Sequence, residues 1–201
     1  MGKELEYKLQ IPDRDTLSRI MADPQIVALM ADAWRETPMR TEYYDSPDGR
    51  FSGRHWTFRL RQEGDQSIVC VKTPTPEAHT RGEWQISASE INEEAVRRLI
   101  EIGTPVELLY LYGAGDITPV CGARFLRSHC MLRFDDGSRA EIACDEGSLL
   151  GKTQRMSFLE LELELYEGDP GKMLELIGYL CSTYALKEQP RSKHARARSL
   201  N

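Results

Sequence analysis

Phe158-Leu159-Glu160-Leu161-Glu162-Leu163-Glu164-Leu165 alternates apolar and acidic residues after its opening pair. Period two is the side-chain repeat of a β-strand, so this stretch is a strand with one aliphatic face and one face of carboxylates. The first strand of the chain has the same character: in residues 4–11, Glu4, Glu6 and Lys8 alternate with Leu5, Tyr7 and Leu9, and Pro12 ends the run. Its charged face sets two carboxylates and an ammonium at intervals of about 6–7 Å.

Between these two strands the pattern repeats. Residues 55–73 divide at Glu63-Gly64-Asp65 into the runs 56–61 and 67–72, which predicts a hairpin. Residues 81–88 form a further alternating run, with Arg81, Glu83 and Gln85 on one side. Residues 125–134 and 139–144, joined by Asp135-Asp136-Gly137-Ser138, predict a second hairpin, and a short strand through Glu42, Tyr43 and Tyr44 stops at Asp45-Ser46-Pro47-Asp48-Gly49. Helical spacing predicts helices from about Asp15, broken near Pro24, over residues 92–102 and 106–112, and from Asp169-Pro170 with Asp169 as the cap. Residues 187–201 are basic and aperiodic and read as a short solvated tail, Lys193 apart.

Composition sets the bounds. A chain of 201 residues with 40% hydrophobic content buries a core without disulfides, and no linker-like tract divides it, so a single domain over residues 1–201 is expected. The formal net charge of −6 disfavours nucleic acid and anionic membrane as partners. Five scattered cysteines without a C-x-x-C pair argue against a disulfide framework or a zinc site. The N-terminus is charged where a signal peptide is apolar, and no apolar run approaches the roughly 20 residues of a membrane span. The expectation is a soluble, cytoplasmic protein; oligomeric state leaves no trace in the pattern.

Charge on every second residue ordinarily means a strand with one wet outer face. Taken together the strands resist that reading, because outward charges would leave the apolar sides of the helices little to cover. The other arrangement packs the apolar strand faces under the helices and lines the interior with charge. Buried charge is costly unless paired, metal-bound or wet, so such an interior must hold ions or water.

At this point the sequence resembles the CYTH family, the triphosphate tunnel metalloenzymes, over nearly its whole length. Glu4-x-Glu6-x-Lys8 is similar to that family's N-terminal motif, and Tyr43-Tyr44-Asp45-Ser46-Pro47 to its aromatic-Tyr-Asp/Glu-Thr-Pro segment. Phe58-Arg59-Leu60-Arg61, Val71-Lys72, Arg81-Gly82-Glu83-Trp84, Phe125-Leu126-Arg127 and residues 141–147 resemble successive strands; residues 158–165 and Ser192-Lys193 resemble its closing strand and tail. The resemblance implies an α+β, mainly β fold: a closed antiparallel β-barrel of about eight strands with a charged tunnel and helices packed outside. Within the family the look is nearest to bacterial inorganic triphosphatases, without the helical, histidine-rich domain that longer members append.

The implied chemistry is hydrolysis of inorganic triphosphate to pyrophosphate and phosphate, or of thiamine or nucleoside triphosphates. Cyclisation of ATP, as in class IV adenylate cyclases, and a binding module without turnover are the other readings. The sequence has no Gly-rich loop followed by Lys-Ser/Thr, so side chains must hold the phosphates: Lys8, Arg59, Arg61 and Lys72, with Arg127 and Lys193 implied mainly by the resemblance and Arg81 equally able to pair with Glu83. Carboxylates without histidine or cysteine partners favour Mg2+ or Mn2+. The expected ligands are Glu4, Glu6, Glu160 and Glu162, with Glu83, Glu141 and Asp145 as supporting groups or ligands; Glu164 divides evenly between interior and solvent. In this scheme one ion bridges phosphate oxygens and a second, on the Glu4/Glu6 side, lowers the pKa of the attacking water, with Lys8 and Lys72 beside it.

Overall fold

The computed structural model describes residues 2–201. Strand β1 (Gly2–Gln10) is followed by helices α1 (Arg14–Met21) and α2 (Pro24–Leu29). A four-strand meander comes next: β2 (Arg35–Asp45), β3 (Thr57–Glu63), β4 (Gln66–Pro74) and β5 (Thr80–Ser87). Helices α3 (Glu93–Glu101) and α4 (Glu107–Gly113) lead to a second meander of β6 (Thr118–Arg133), β7 (Arg139–Leu150) and β8 (Arg155–Glu167). The chain then runs through α5 (Gly171–Tyr184), the two-residue β9 (Lys187–Glu188) and α6 (Lys193–Arg198).

The strands pair antiparallel in the order β5-β4-β3-β2-β6-β7-β8-β1, and β1 pairs again with β5, which closes an eight-stranded barrel. Closure rests on four residues, Gly2 to Leu5 against Glu83 to Thr80. Beyond Leu5 that edge of β1 is taken over by Glu6 N–H donating to the His79 carbonyl and by β9 against Leu9 and Gln10. No stretch of β1 is left as an open template for further pairing.

The alternation of each strand divides the molecule into two environments. On one flank, Leu9, Leu132, Ile142, Leu161 and Leu163 face outward and pack under Ile20 and Ile26 of the first helix pair and Met173, Leu176, Ile177 and Leu180 of α5. On another, Phe58, Val69 and Val71 pack under Val96, Leu99, Leu108 and Leu111 of α3 and α4. Fully buried aliphatics of this kind are worth roughly 2–5 kcal/mol each against alanine, so the helices hold the barrel from outside while its charged faces turn inward. All five cysteines are free thiols. Among the described residues no helix is long and apolar enough to cross a membrane.

Several expected boundaries move. Strand β2 begins at Arg35 rather than near Glu42, because Arg35-Glu36-Thr37-Pro38 is polar yet pairs with β6 through its backbone. Strands β6 and β7 are longer than the alternation predicts, since their far ends carry Gly122 and Gly147 in place of alternating side chains. Gly147 lies against the Arg124 carbonyl and Phe125, where a Cβ would overlap both. Pro170, not Asp169, occupies the cap position of α5, and Asp169 accepts from the Gly171 N–H at 2.8 Å. The largest correction is the tail: residues 193–198 are helical, and Lys193 and Arg196 are buried.

Candidate active site

Parity brings the charged faces into one cavity of about 650 Å³ inside the barrel. Glu4, Glu6 and Lys8 of β1, Arg59 and Arg61 of β3, Lys72 of β4, Arg81 and Glu83 of β5, Arg127 of β6, Glu141 of β7, and Glu162 and Glu164 of β8 all line it, as does Lys193 of α6. Of the residues picked out in the sequence, Asp145 and Glu160 lie off the cavity wall, fully buried beneath α6.

The carboxylates separate into two groups. Oxygens of Glu4, Glu83 and Glu164 all lie within 4.8 Å of one another, and so do those of Asp145, Glu160 and Glu162. The expected ligands Glu4, Glu6, Glu160 and Glu162 are divided between the two groups, with Glu6 adjoining Glu162, and Glu164, left even between interior and solvent, faces inward.

The Asp145 group is electrically complete. Lys193 Nζ stands 2.7 Å from both Asp145 and Glu162 and also contacts Glu160. Arg127 donates to both oxygens of Asp145 at 2.8 and 2.7 Å and reaches Glu162, while Arg196 pairs with Glu160. Three carboxylates meet three cations, so a divalent ion has no charge to neutralise there.

The Glu4 group is short of positive charge. Lys72 Nζ sits 2.6 Å from each oxygen of Glu4 and 3.5 Å from Glu83, and Arg59 donates to Glu83 at 3.2 Å. Burial opposes ionisation of Glu83, but Lys72 and then Arg59 hold it down at about 2. Glu164 has no ion pair among the described residues; burial first, and then the charge of Glu4, push it up to about 8. Glu6, 3.5 Å from Lys8, is pushed up to about 7 by burial and by Glu162. Three oxygen ligands at this spacing, with neighbouring carboxyls that resist ionisation, are the donor set of a hard divalent cation.

The cations around them are under-used. Arg59 Nε and Arg61 Nε are buried without a hydrogen-bond partner, although buried donors are ordinarily satisfied. Arg61 otherwise reaches Glu63 at 2.9 Å. Burial works against the Lys72 ammonium, but Glu4 and Glu83 hold its proton affinity well above the ordinary value. Arg81 lines the cavity from an exposed position and does not pair with Glu83.

Several participants carry no clear sequence signal. His129 exchanges a 3.0 Å hydrogen bond with Glu141 and one of 3.2 Å with Thr37 on the cavity wall away from α6. Buried Cys70 donates to Glu83 Oε1 at 3.0 Å. Asp45, expected only as a turn residue, is fully buried; it accepts from the N–H groups of Ser46, Phe51 and Ser52 and pairs with Arg198 at 2.8 Å. Tyr43 packs against the His194 ring at 4.9 Å, and burial pushes His194 down to about 4, leaving it neutral. The one signal that could have found α6 is Ser192, whose hydroxyl caps it by accepting from the Ala195 N–H at 3.1 Å.

A model of the CYTH domain matches residues 2–197. An inorganic triphosphatase of Haemophilus influenzae is 25% identical over 145 residues, which is 67% of this chain and 38% of that protein. The chain thus spans well under half the length of that curated relative. A solved structure from Pyrococcus horikoshii aligns with a TM-score of 0.62 at 15% identity, covering 98% of this chain and 99% of the other. A Hippeastrum protein described as revealing a dominant triphosphatase activity aligns with a TM-score of 0.60 at 14% identity, covering 98% and 96%.

Proposed function

The chain belongs to the CYTH domain family, and from that premise we propose that it is a divalent-cation-dependent triphosphatase, hydrolysing inorganic triphosphate to pyrophosphate and phosphate inside its barrel. One observation carries the reading: Lys8, Arg59, Arg61 and Lys72 line the same cavity as the cation-poor group of Glu4, Glu83 and Glu164. A binder of free anions needs the first half of that arrangement and is hindered by the second. The relationship to a protein named as an inorganic triphosphatase supports the same reading.

In this proposal Arg59 and Arg61 offer their guanidinium groups, and Lys8 and Lys72 their ammoniums, to phosphate oxygens. Arg127, held in place by Asp145 and Glu162, lines the same cavity as a fixed donor. Glu4, Glu83 and Glu164 hold Mg2+ or Mn2+. When bound, that ion neutralises phosphate charge and makes a coordinated water more acidic. Glu6 carries its carboxylate beside the trio with a proton affinity near neutrality, suited to take the proton that the attacking water loses. Phosphoryl transfer asks little more of a protein than this placement of charge.

A second reading keeps the grip and changes the substrate. Tyr43, Trp56 and His194 also line the cavity, ring surface that a nucleoside or thiamine triphosphate would use. Phosphate release is to be measured from tripolyphosphate, ATP and thiamine triphosphate with Mg2+ or Mn2+, and from each with EDTA. Fastest, EDTA-sensitive release from tripolyphosphate is expected. Preference for an organic triphosphate would favour the second reading, cyclic AMP from ATP would favour cyclisation, and no turnover of any would sink the enzyme assignment.

A further inference from the structure

Lys72 stands in two places at once: it belongs to the phosphate-facing wall, and its ammonium lies on both oxygens of Glu4 at 2.6 Å and within 3.5 Å of Glu83. Glu4 and Glu83 are two of the three carboxylates grouped for a divalent cation. Two positive charges cannot share those oxygens without strong repulsion. Lys8, by contrast, approaches only Glu6, at 3.5 Å, and Arg61 is occupied by Glu63. Both leave the trio free.

We infer that Lys72 is a built-in competitor for the divalent cation at Glu4, Glu83 and Glu164, and that its displacement onto substrate couples cation binding to triphosphate binding. The inference rests on the cation-dependent reading above. Before the ion arrives, Lys72 neutralises Glu4 and Glu83 and is withheld from the phosphate. Once the ion takes those oxygens, the ammonium loses its partners and turns to the phosphate, where a new one is available. Each ligand thus removes an obstacle to the other, a reciprocal linkage that is typically worth roughly 5- to 150-fold in affinity.

The test is made on binding rather than turnover, with folding of each variant checked by thermal melting. Mn2+ alone is titrated calorimetrically into the wild type, Lys72→Met and Arg61→Met. Lys72→Met is expected to bind Mn2+ about fivefold more tightly or better, beyond any gain in Arg61→Met, which removes the same charge from the same cavity without freeing Glu4. General damage to the site would weaken binding instead. In a second arm, tripolyphosphate is titrated in EDTA into Glu4→Gln and Glu164→Gln. At about pH 9.5, above the value of about 8 to which Glu164 is pushed, these remove nearly equal charge from the same group, but only Glu4 holds Lys72, so Glu4→Gln is expected to bind the anion more tightly. Mn2+ binding in Lys72→Met that is unchanged, weaker or no tighter than in Arg61→Met would overturn the inference and leave the enzyme reading standing, as would equal anion binding in the two glutamine variants. If neither wild type nor Lys72→Met takes up Mn2+, the cation-dependent reading itself falls.

Discussion

Glu4 meets three demands from one position: it is buried, it is one of the clustered carboxylates, and it holds Lys72. Glu4→Gln keeps the shape and removes the charge, so hydrolysis is expected to fall at least about a hundredfold, while the melting temperature drops because Lys72 loses its charged partner; phosphate release and thermal melting read the two together. Glu6 and Glu164, pushed up to about 7 and about 8, make a second residue-scale prediction. Both bind protons more readily folded than unfolded, so the stability they lend is full below about pH 4.5 and is lost as the pH rises through 7 and 8. Carboxyls held low, such as Glu83, act only below that window, and His194, held down at about 4, opposes the trend by a smaller amount as the pH rises to about 6.5. The cation-free protein should therefore melt lower at about pH 8.5 than at about pH 5.5, Glu164→Gln should shrink the difference, and added Mn2+ should stabilise most at the higher pH. A flat melting profile in EDTA would contradict this. Glu4, Glu6, Arg59 and Arg61 were legible in the sequence because a period of two fixes which side chains share a face. Glu164's grouping with Glu83 was not, because it depends on which strands become neighbours across β1.

Helix α6 was read as a solvated tail, and the reason is physical. Its only apolar residues are Ala195 and Ala197, so it has no hydrophobic stripe to register as a period, and what buries it is the pairing of Lys193, Arg196 and Arg198 with Glu160, Asp145, Glu162 and Asp45. Hydropathy cannot see burial achieved by charge. Breaking such a network from one side leaves uncompensated carboxylates. Lys193→Met is therefore expected to lower stability by about 3–5 kcal/mol, measured by urea denaturation, a larger loss than that of the exposed pair partner Arg97→Met on α3. The two hairpins, by contrast, were readable from their alternation and turn residues, Gly64 and Gly137 both taking positive φ where the chain reverses. Their strands ran longer than expected because backbone pairing continues where side-chain alternation stops.

At the scale of the molecule, the net charge of −6 conceals segregation: basic and acidic side chains gather on inward faces, and aliphatic ones lie beneath the helices. That inversion was legible from parity once the helices were counted. Closure was not, since only four residues of β1 meet β5 and nothing in their sequence names the partner. On its other side the same stave pairs along β8, where Leu5 meets Leu165, some 160 residues later in the chain. Time enters here. The first strand synthesised has no partner on that side until almost the last one has been made, and the loop to be closed is among the longest the chain can form. Such topology folds on the millisecond-to-second scale or slower. Stopped-flow refolding should show the β2–β5 meander gaining structure before Tyr7, between β1's two partners, becomes protected from exchange. A nascent chain halted short of β8 would keep β1 waiting, its acidic face and its aliphatic face equally unclaimed.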